Sequence, residues 1–367
     1  MTRQNRGVFL PLAMFFFANA CTYPWMFVSE LGMSQKWVTG FEAFGEAVIF
    51  ILPPALLFYV RALTNSSKVK FNVKQLWHLL PFFIGFCTFV MILILPVEAR
   101  VRLLDGPEVL AMSELPAGVL LIGMFLGYPV LSIAYIIVIS LTLIKYRQKL
   151  KDLYASTVGK ELHWVSWAVF LFALDWLMSF ASGTVDIFGY ASFYNDPVES
   201  LVDLALFWLL AVWALRPISI EKDLVSASEN ITQHNAGKYG RAALSQERKA
   251  VIARKIETAM IELKLYLEPD ISLLRLARAI KEQPNNVSQT LNSALGSTFF
   301  DYVNGWRIRA SLSEIKLARK NIITVAYDVG FNSQSSFYKA FKIEMGVTPL
   351  AYRKANRLPD ANKVELS

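Results

Sequence analysis

The sequence predicts an all-α protein in two parts: a polytopic transmembrane helix bundle of about six spans, followed by a soluble double helix-turn-helix domain. Two observations lead to this prediction. First, 54% of the 367 residues are hydrophobic, 18% are charged and the mean hydropathy is +0.39, a composition typical of membrane proteins. Second, the apolar residues are concentrated before residue 216, whereas the remaining third is polar and basic.

Six apolar runs account for the membrane part. Each is close to the ~20 residues with which an α-helix crosses the hydrocarbon core of a bilayer. The runs are 8–28, 40–60, 76–96, 117–144, 163–182 and 199–215. The first run lacks the small-residue cleavage site of a signal peptide, so we expect it to remain as a helix of the mature protein.

The distribution of Lys and Arg predicts the orientation of these spans. Basic loops are retained on the cytoplasmic side of a membrane, and higher and lower counts of Lys and Arg alternate between successive connections along this chain. Residues 145–160 carry five Lys or Arg, whereas residues 183–198 carry none. The pattern predicts spans embedded in the lipid bilayer, with both termini in the cytoplasm. A seventh span would place the N-terminus outside, which Arg3 and Arg6 oppose.

Composition divides the chain into four predicted segments. Residues 1–216 form a transmembrane sensor, 217–245 a cytoplasmic linker, 246–357 a soluble domain and 358–367 a tail. Residues 245–357 contain 18 Lys or Arg and 10 Asp or Glu, and this excess equals the net charge of +8 of the whole chain. The soluble domain would therefore attract a polyanion or an anionic lipid surface.

The first half of the soluble domain has the pattern of a supporting helix followed by a helix-turn-helix. Apolar residues at helical spacing predict one helix over 252–267. Its buried face is predicted to consist of Ile252, Ile256, Met260, Leu263 and Leu267. A short apolar helix follows over 273–280, and Pro284 suits the first turn of a second helix that Gly296 ends. Helix, tight turn and helix of this size is the arrangement in which a second helix enters the major groove of DNA.

The stretch "ITVAYDVGFNSQSSFYKAFKIEMG", residues 323–346, repeats this plan. Gly330 allows a tight turn after a helix over 324–329, and Asn332 or Ser333 is suited to cap the next helix. The residues predicted to be buried in this unit are Phe331, Phe337 and Phe341. Between the two units, the pattern predicts a long helix that could fix their separation.

Three segments, "GSTFFDYVNGWRI", "VAYDVGFNSQSSFYKAFK" and "GVTPLAYR", resemble the DNA-binding domain of AraC/XylS-family transcription regulators in their order and spacing. The resemblance covers 245–355. It implies two helix-turn-helix units joined by a long helix, with recognition helices 285–294 and 334–342 entering successive segments of the major groove. The base-facing positions that it implies are Asn285, Ser288, Gln289, Gln334, Ser335 and Lys339.

Charged side chains near these helices are candidates for contacts to phosphates, which position a protein without specifying sequence. They are Arg307, Lys342, Arg353 and Lys354. For each, an ordinary solvated surface charge is an equal alternative. The first recognition helix contains no Arg or Lys, and because Asn and Gln pair bidentately with adenine, we expect a half-site that leans toward A·T. A helical bundle that binds protein is the alternative for the whole domain, but the two repeated units and the basic excess favour DNA.

Four acidic residues lie inside predicted spans, where ionisable side chains are costly and usually face a bundle interior or a cavity. They are Glu42, Glu46, Asp175 and Asp203. We expect them to form a sensing site for a small-molecule or ion signal. The alternative is that each bonds a polar group of a neighbouring helix and has only a structural role.

Enzymatic motifs are not found in this sequence, so we predict no catalytic residues, no metal and no cofactor. Cys21 and Cys87 both lie in predicted spans, and the three histidines are scattered singly. The prediction is a one-component transcription regulator, held in the bacterial inner membrane by its spans, that binds promoter DNA and works with RNA polymerase. Homodimerisation is compatible with this prediction, although two reading units in one chain already cover two groove segments. The alternatives are a transporter with a regulatory or partner-docking tail, and a DNA-binding regulator whose spans are only an anchor.

Overall fold

The computed structural model describes residues 6–64, 73–104, 110–187, 196–214 and 244–356. Nearly all of the predicted linker and the whole predicted tail lie outside these residues. The chain divides into two compact units, and the segment Lys145–Glu161 belongs to the C-terminal unit rather than to the N-terminal one. Throughout the described ranges the regular structure is helical, apart from one isolated antiparallel bridge between Tyr154 and Ser272.

Mostly apolar helices of 7 to 39 residues build the N-terminal unit. Their bounds are α1 Arg6–Ala20, α2 Pro24–Glu30, α3 Gln35–Val48, α4 Leu52–Thr64, α5 Leu80–Ile94, α6 Val97–Leu104, α7 Leu115–Leu153, α8 His163–Ile187 and α9 Asp196–Ala214. The end of α7 extends into the C-terminal unit. The 3-10 turn Ile49–Ile51 joins α3 directly to α4, and the 3-10 segment Val73–Leu79 leads into α5.

Within the described ranges, four stretches of helix are long and apolar enough to cross a membrane, judged by length and composition. They are Gln35–Thr64, Val73–Ile94, Leu115–Leu153 and His163–Val185. The first and last predicted runs contain shorter apolar helices, Phe9–Ala20 and Leu201–Ala214. The count of six spans therefore stays a prediction. The first run is not the single helix expected, because α1 ends at Ala20 and α2 begins afresh at Pro24.

Close packing holds the N-terminal unit together. Helix α1 packs on α4, and α3 packs on α5. A Cβ atom on Gly85 would lie 2.9 Å from Cα of Ala47, so the α3–α5 approach needs glycine there. One face of α7 is left uncovered, with large apolar side chains at successive turns. These exposed residues are Val119, Ile122, Leu126, Val130, Ile133, Ile137, Leu141 and Ile144.

The C-terminal unit is built from shorter helices with polar or charged outer faces. Their bounds are α10 Gln246–Glu262, α11 Leu273–Ala279, α12 Pro284–Ala294, α13 Phe299–Leu317, α14 Ile322–Asp328, α15 Gln334–Met345 and α16 Pro349–Asn356. Two hydrophobic cores result. Phe299 and Val303 of α13 lie in the first core with residues of α10, α11 and α12, whereas Ile308 and Ile315 of the same helix lie in the second with α14 and α15.

One helix is shorter than predicted. Helix α10 ends at Glu262, and Leu263 is its C-cap residue. The helix does not continue because Lys264 takes a left-handed conformation with φ +47°. The helical register is lost beyond that point, so Leu263 is 58% exposed and Leu267 38% exposed, while Leu265 is buried in their place. The buried face predicted from Ile252, Ile256 and Met260 is confirmed, and its extension to residues 263 and 267 was wrong.

Candidate nucleic-acid interface

The first helix-turn-helix unit consists of α11 and α12. Ser272 caps α11, accepting a hydrogen bond from the backbone N–H of Arg275 at 3.3 Å. Pro284 lies in the first turn of α12, where its fixed φ suits a helix start. Val287 and Leu291 are buried on the inner side of α12. The outer side is thereby left to polar residues.

The second unit repeats this construction with α14 and α15. The Ser333 hydroxyl caps α15 by accepting a hydrogen bond from the backbone N–H of Ser336 at 3.2 Å. Phe337 and Phe341 lie four residues apart and are fully buried, as predicted. Of the two cap candidates, Ser333 is therefore the cap. Asn332 instead donates hydrogen bonds from Nδ2 to Asp270 and to Ser156.

The predicted base-facing residues lie on the sides of α12 and α15 that face away from the cores. Asn285, Gln334, Ser335 and Lys339 are exposed, and so is the predicted phosphate contact Lys342. The remaining two, Ser288 and Gln289, are half-buried on α12. The polar outer sides of both helices are therefore accessible to a DNA groove. The DNA contacts themselves stay a prediction.

Helix α13 joins the two units. It has 19 residues, so at ~1.5 Å per residue it extends about 28 Å. Its side chains enter both cores, and the separation of α12 from α15 therefore depends on one rigid helix. This agrees with the spacer role that its sequence pattern predicted.

Arg307 of α13 is not placed to contact a phosphate, which contradicts the sequence prediction. Its side chain is fully buried and donates hydrogen bonds to three backbone carbonyl oxygens and to one side chain. The acceptors are Tyr266 O at 2.7 Å, Glu268 O at 2.8 Å, Pro269 O at 3.3 Å and Asn304 Oδ1 at 3.3 Å. Burial lowers the pKa of Arg307 to about 10, an effect that the Asp270 carboxylate opposes. The guanidinium thus stays charged at neutral pH and holds the 266–269 segment to α13.

Arg353 also has an internal role. Its Nε donates to Ile315 O at 3.2 Å and its Nη2 to Lys320 O at 2.8 Å. These carbonyl groups lie at and beyond the C-terminal end of α13, where backbone acceptors lack helical partners. Arg353 therefore secures α16 to α13, and the exposed Lys342 and Lys354 remain as candidate phosphate contacts.

Gly330 forms the turn of the second unit with φ +93°, a conformation that L-residues with a side chain rarely adopt. A Cβ atom at this position would lie 2.8 Å from both Tyr266 O and Leu267 O. The turn therefore packs directly on the backbone segment that Arg307 also binds. Glycine is required here for its conformation and for its lack of volume.

The N-terminal unit contains a second candidate site, a cavity of about 280 Å³. Three of the four predicted intramembrane acids line it, namely Glu46, Asp175 and Asp203, and Glu42 is not among its lining residues. The Tyr23 hydroxyl donates a hydrogen bond to Asp203. Much of the remaining wall is aromatic, formed by Phe15, Phe50, Tyr128, Phe172, Trp176, Phe180 and Phe207. No group of three acidic, His or Cys side chains among the described residues is arranged to hold a metal ion.

The sequence did not predict this aromatic wall. Phe15, Phe172 and Phe207 come from α1, α8 and α9, and their ring centroids lie 5.4 to 5.6 Å apart. In the sequence each is one of many apolar residues of a span. Only the packing of separate helices shows that they share a wall with the acids.

Comparison with known proteins agrees with the geometry of the C-terminal unit. A family model described as a helix-turn-helix domain matches residues 276–355. The Bacillus subtilis (strain 168) protein named uncharacterized HTH-type transcriptional regulator YdeC is 34% identical over 92 residues, which are 25% of this chain and 32% of that protein. The HTH-type transcriptional activator RhaS of Mannheimia succiniciproducens is 33% identical over 86 residues, or 23% of this chain and 32% of that protein.

A solved structure is also similar, the C-terminal domain of AraT, a response regulator from Geobacillus stearothermophilus. It is 22% identical, with a TM-score of 0.27, and the match covers 30% of this chain and 89% of that one. The present chain spans about a third of the length of the two curated relatives. Both relatives are named as transcriptional regulators, one of them as an activator.

Two helix-turn-helix units on separate cores, joined by one long helix, define the C-terminal unit as a double helix-turn-helix domain. More particularly, it is an AraC-type helix-turn-helix domain, and the resemblance inferred from the sequence is confirmed for this part of the chain.

Proposed function

We propose that the protein is a membrane-bound transcription regulator of the bacterial inner membrane, which binds promoter DNA with α12 and α15. The observation that supports DNA binding best is the repeated unit, in which each helix buries its apolar side in its own core and exposes amides, hydroxyls or Lys on the other. A helix of this kind can read base edges in the major groove. RNA polymerase and a second copy of the chain belong to the proposal as partners.

Membrane residence is supported by the apolar helices of the N-terminal unit. The uncovered face of α7 extends from Val119 to Ile144 and exposes large apolar side chains at each turn. Exposure of such a continuous apolar stripe to water would cost free energy, whereas contact with lipid tails would not. In our proposal this unit lies in the bilayer, both termini are cytoplasmic, and the spans receive the signal.

DNA reading is tested with Gln334→Ala and with Lys354→Ala as its matched control. The full-length protein in nanodiscs first selects fragments from a random DNA pool. We expect Gln334→Ala to relax specificity at one base pair, at a cost of roughly 1–3 kcal/mol for the best site. Lys354→Ala should weaken binding to all fragments alike. It should also reduce the slope of log affinity against log salt concentration by about 1. Equal effects of Gln334→Ala on all fragments would contradict base reading, and selection of only G·C-rich motifs would contradict the A·T-leaning half-site.

The cavity of the N-terminal unit is the site that we propose for the signal. Its three carboxylates and aromatic wall suit a small cationic or polar ligand, because carboxylates and ring faces both attract positive charge. Asp175 and Asp203 are 5% and 7% exposed, so both carboxyl groups lie inside the unit rather than on its surface.

We expect Asp175→Asn and Glu46→Gln to change the response of a target promoter to inducing conditions, while protein level and basal DNA binding stay unchanged. Glu42→Gln is the matched control, since Glu42 lies in the same helix as Glu46 but is not among the residues that line the cavity. Unchanged induction in both cavity variants would remove these acids from the sensing site.

A transporter with a regulatory tail is the second candidate function, and the same acid-lined cavity is the observation that favours it. Substrate flux in proteoliposomes that persists after deletion of residues 246–367 would support transport. Regulated transcription after replacement of residues 1–215 by an unrelated membrane anchor would instead show that the spans are only an anchor.

A further inference from the structure

A short segment from between α7 and α8 is built into the helix-turn-helix domain. The backbone N–H of Ala155 donates to Ile271 O at 3.2 Å, beside the antiparallel bridge between Tyr154 and Ser272. Ala155 is 2% exposed and lies in the core formed by α10, α11 and α12. We call residues 154–156 the docking segment. It pairs with the domain through this single bridge, although more than a hundred residues separate the two in sequence.

The docking segment contacts both halves of the domain. Ala155 O accepts a hydrogen bond from Asn304 Nδ2 at 3.3 Å, and Asn304 in turn accepts one from Arg307. Ser156 Oγ accepts a hydrogen bond at 3.3 Å from Asn332, which immediately precedes the cap of α15. The segment therefore joins the first core, the spacer helix and the start of the second recognition helix.

Residues just beyond the docking segment contact the segment, the domain and α7. Lys160 Nζ lies 3.9 Å from Asp270 and over the Tyr154 ring, 4.9 Å from its centroid. The Tyr146 hydroxyl donates to Lys160 O at 3.1 Å, and Arg147 Nε donates to Glu161 O at 3.0 Å. The connection between the two helices is thus folded back on the last turns of α7.

Covalent continuity links this segment to the apolar helices. Helix α7 has 39 residues, about 58 Å of helix, whereas the hydrocarbon core of a bilayer is only ~30 Å thick. Its last residues, from Lys145 on, belong to the C-terminal unit, while α8 begins at His163 in the N-terminal unit. The docking segment follows α7 directly and is separated from α8 by six residues, 157–162.

We propose that the docking segment is the mechanical link through which α7 and α8 set the arrangement of the two recognition helices. The docked arrangement favours DNA binding, because contacts to Asn304 and Asn332 fix the position of one helix-turn-helix unit relative to the other. A state of the spans that withdraws the segment loses these contacts and binds DNA less tightly. This proposal rests on the proposed function for its output, and on the described contacts for the docking itself.

The test compares Ala155→Glu with Val158→Glu in the full-length protein in nanodiscs, using DNA fragments selected by the wild type. Both variants add one carboxylate to the same loop, but Ala155 is buried and Val158 is 48% exposed. We expect Ala155→Glu to weaken DNA binding by about tenfold or more, since a buried unpaired charge expels the segment. Val158→Glu should stay within about twofold of the wild type. Equal affinities for both variants, whether reduced or unchanged, would overturn the proposal.

A second variant separates undocking from misfolding. Ser156→Cys and Asn332→Cys are combined in a chain with Cys21→Ser and Cys87→Ser, and membranes are treated with a short thiol crosslinker. We expect efficient crosslinking without DNA and full DNA affinity in the crosslinked protein. Absence of the crosslink, or a crosslinked protein that no longer binds DNA, would overturn the proposal. If the wild type selects no DNA at all, the proposed function fails, and the crosslink alone decides whether the segment is docked.

Discussion

Replacement of Arg307 by methionine is expected to destabilise the C-terminal unit by about 3–5 kcal/mol, because several hydrogen bonds from a charged donor are lost and each contributes roughly 1.5–3 kcal/mol. The guanidinium is fully buried and is the hydrogen-bond donor to the carbonyl groups of Tyr266, Glu268 and Pro269. Methionine fills a similar volume but offers no donor, so these partly buried acceptors lose their hydrogen-bond partner. The loss should appear as faster amide hydrogen exchange in peptides from α13 of the full-length protein.

Arg309→Met is the matched control for this prediction. Arg309 lies two residues further along α13, is exposed and forms an ion pair with Glu344 at 3.1 Å. Its loss should cost about 1 kcal/mol or less, the usual contribution of a surface ion pair. If Arg307→Met matched Arg309→Met in stability and lost only DNA affinity, the phosphate-contact role predicted from the sequence would be restored, and the buried role described here would be wrong.

Gly330→Ala is the second change with a large expected effect. Alanine at φ +93° is strained, at a cost of about 1–2 kcal/mol, and its Cβ would overlap Tyr266 O and Leu267 O at 2.8 Å. Relief of this overlap must move the turn away from the 266–267 backbone, which adds roughly 1–3 kcal/mol. We expect both lower stability and weaker DNA binding, because the same turn sets the position of α15.

Gly296→Ala separates the cost of backbone strain from the cost of the steric overlap with the 266–267 backbone. Gly296 also has a positive φ, +61°, but a Cβ atom there would meet nothing within 4 Å. This variant should show the backbone strain alone, about 1–2 kcal/mol by hydrogen exchange of the full-length protein. Equal losses for Gly296→Ala and Gly330→Ala would show that the contact between the turn and residues 266–267 has no energetic weight.

The helix-turn-helix units could be predicted from the sequence because their signals are local. Caps, turn residues and helical spacing all lie within a few residues of one another, as with Ser333, Phe337 and Phe341. The end of α10 at Glu262 was missed for the same reason, since Leu263 and Leu267 continue the local spacing. What ended the helix was the left-handed Lys264, for which the sequence has no glycine as a marker.

Long-range contacts explain the remaining differences. The role of Arg307 depends on carbonyl groups as far as 41 positions earlier in the chain, and an Arg in a basic domain resembles a phosphate contact until those groups are seen. Likewise, the basic residues of 145–160 predicted a cytoplasmic loop. Nothing in that stretch indicated that the carbonyl oxygen of Ala155 would accept a hydrogen bond from Asn304, 149 positions away. The acids of the cavity were found because charge in an apolar span is itself a local signal.

The most direct test of the central claim, that a membrane-bound chain reads promoter DNA with α12 and α15, is genome-wide DNA crosslinking. The full-length wild type is compared with a Gln334→Ala, Lys339→Ala variant at equal membrane abundance. Both residues are exposed on α15, so the fold should be preserved. The account predicts discrete promoter peaks for the wild type that vanish in the variant. Peaks that survive in the variant, or no peaks in either protein under several growth conditions, would contradict it.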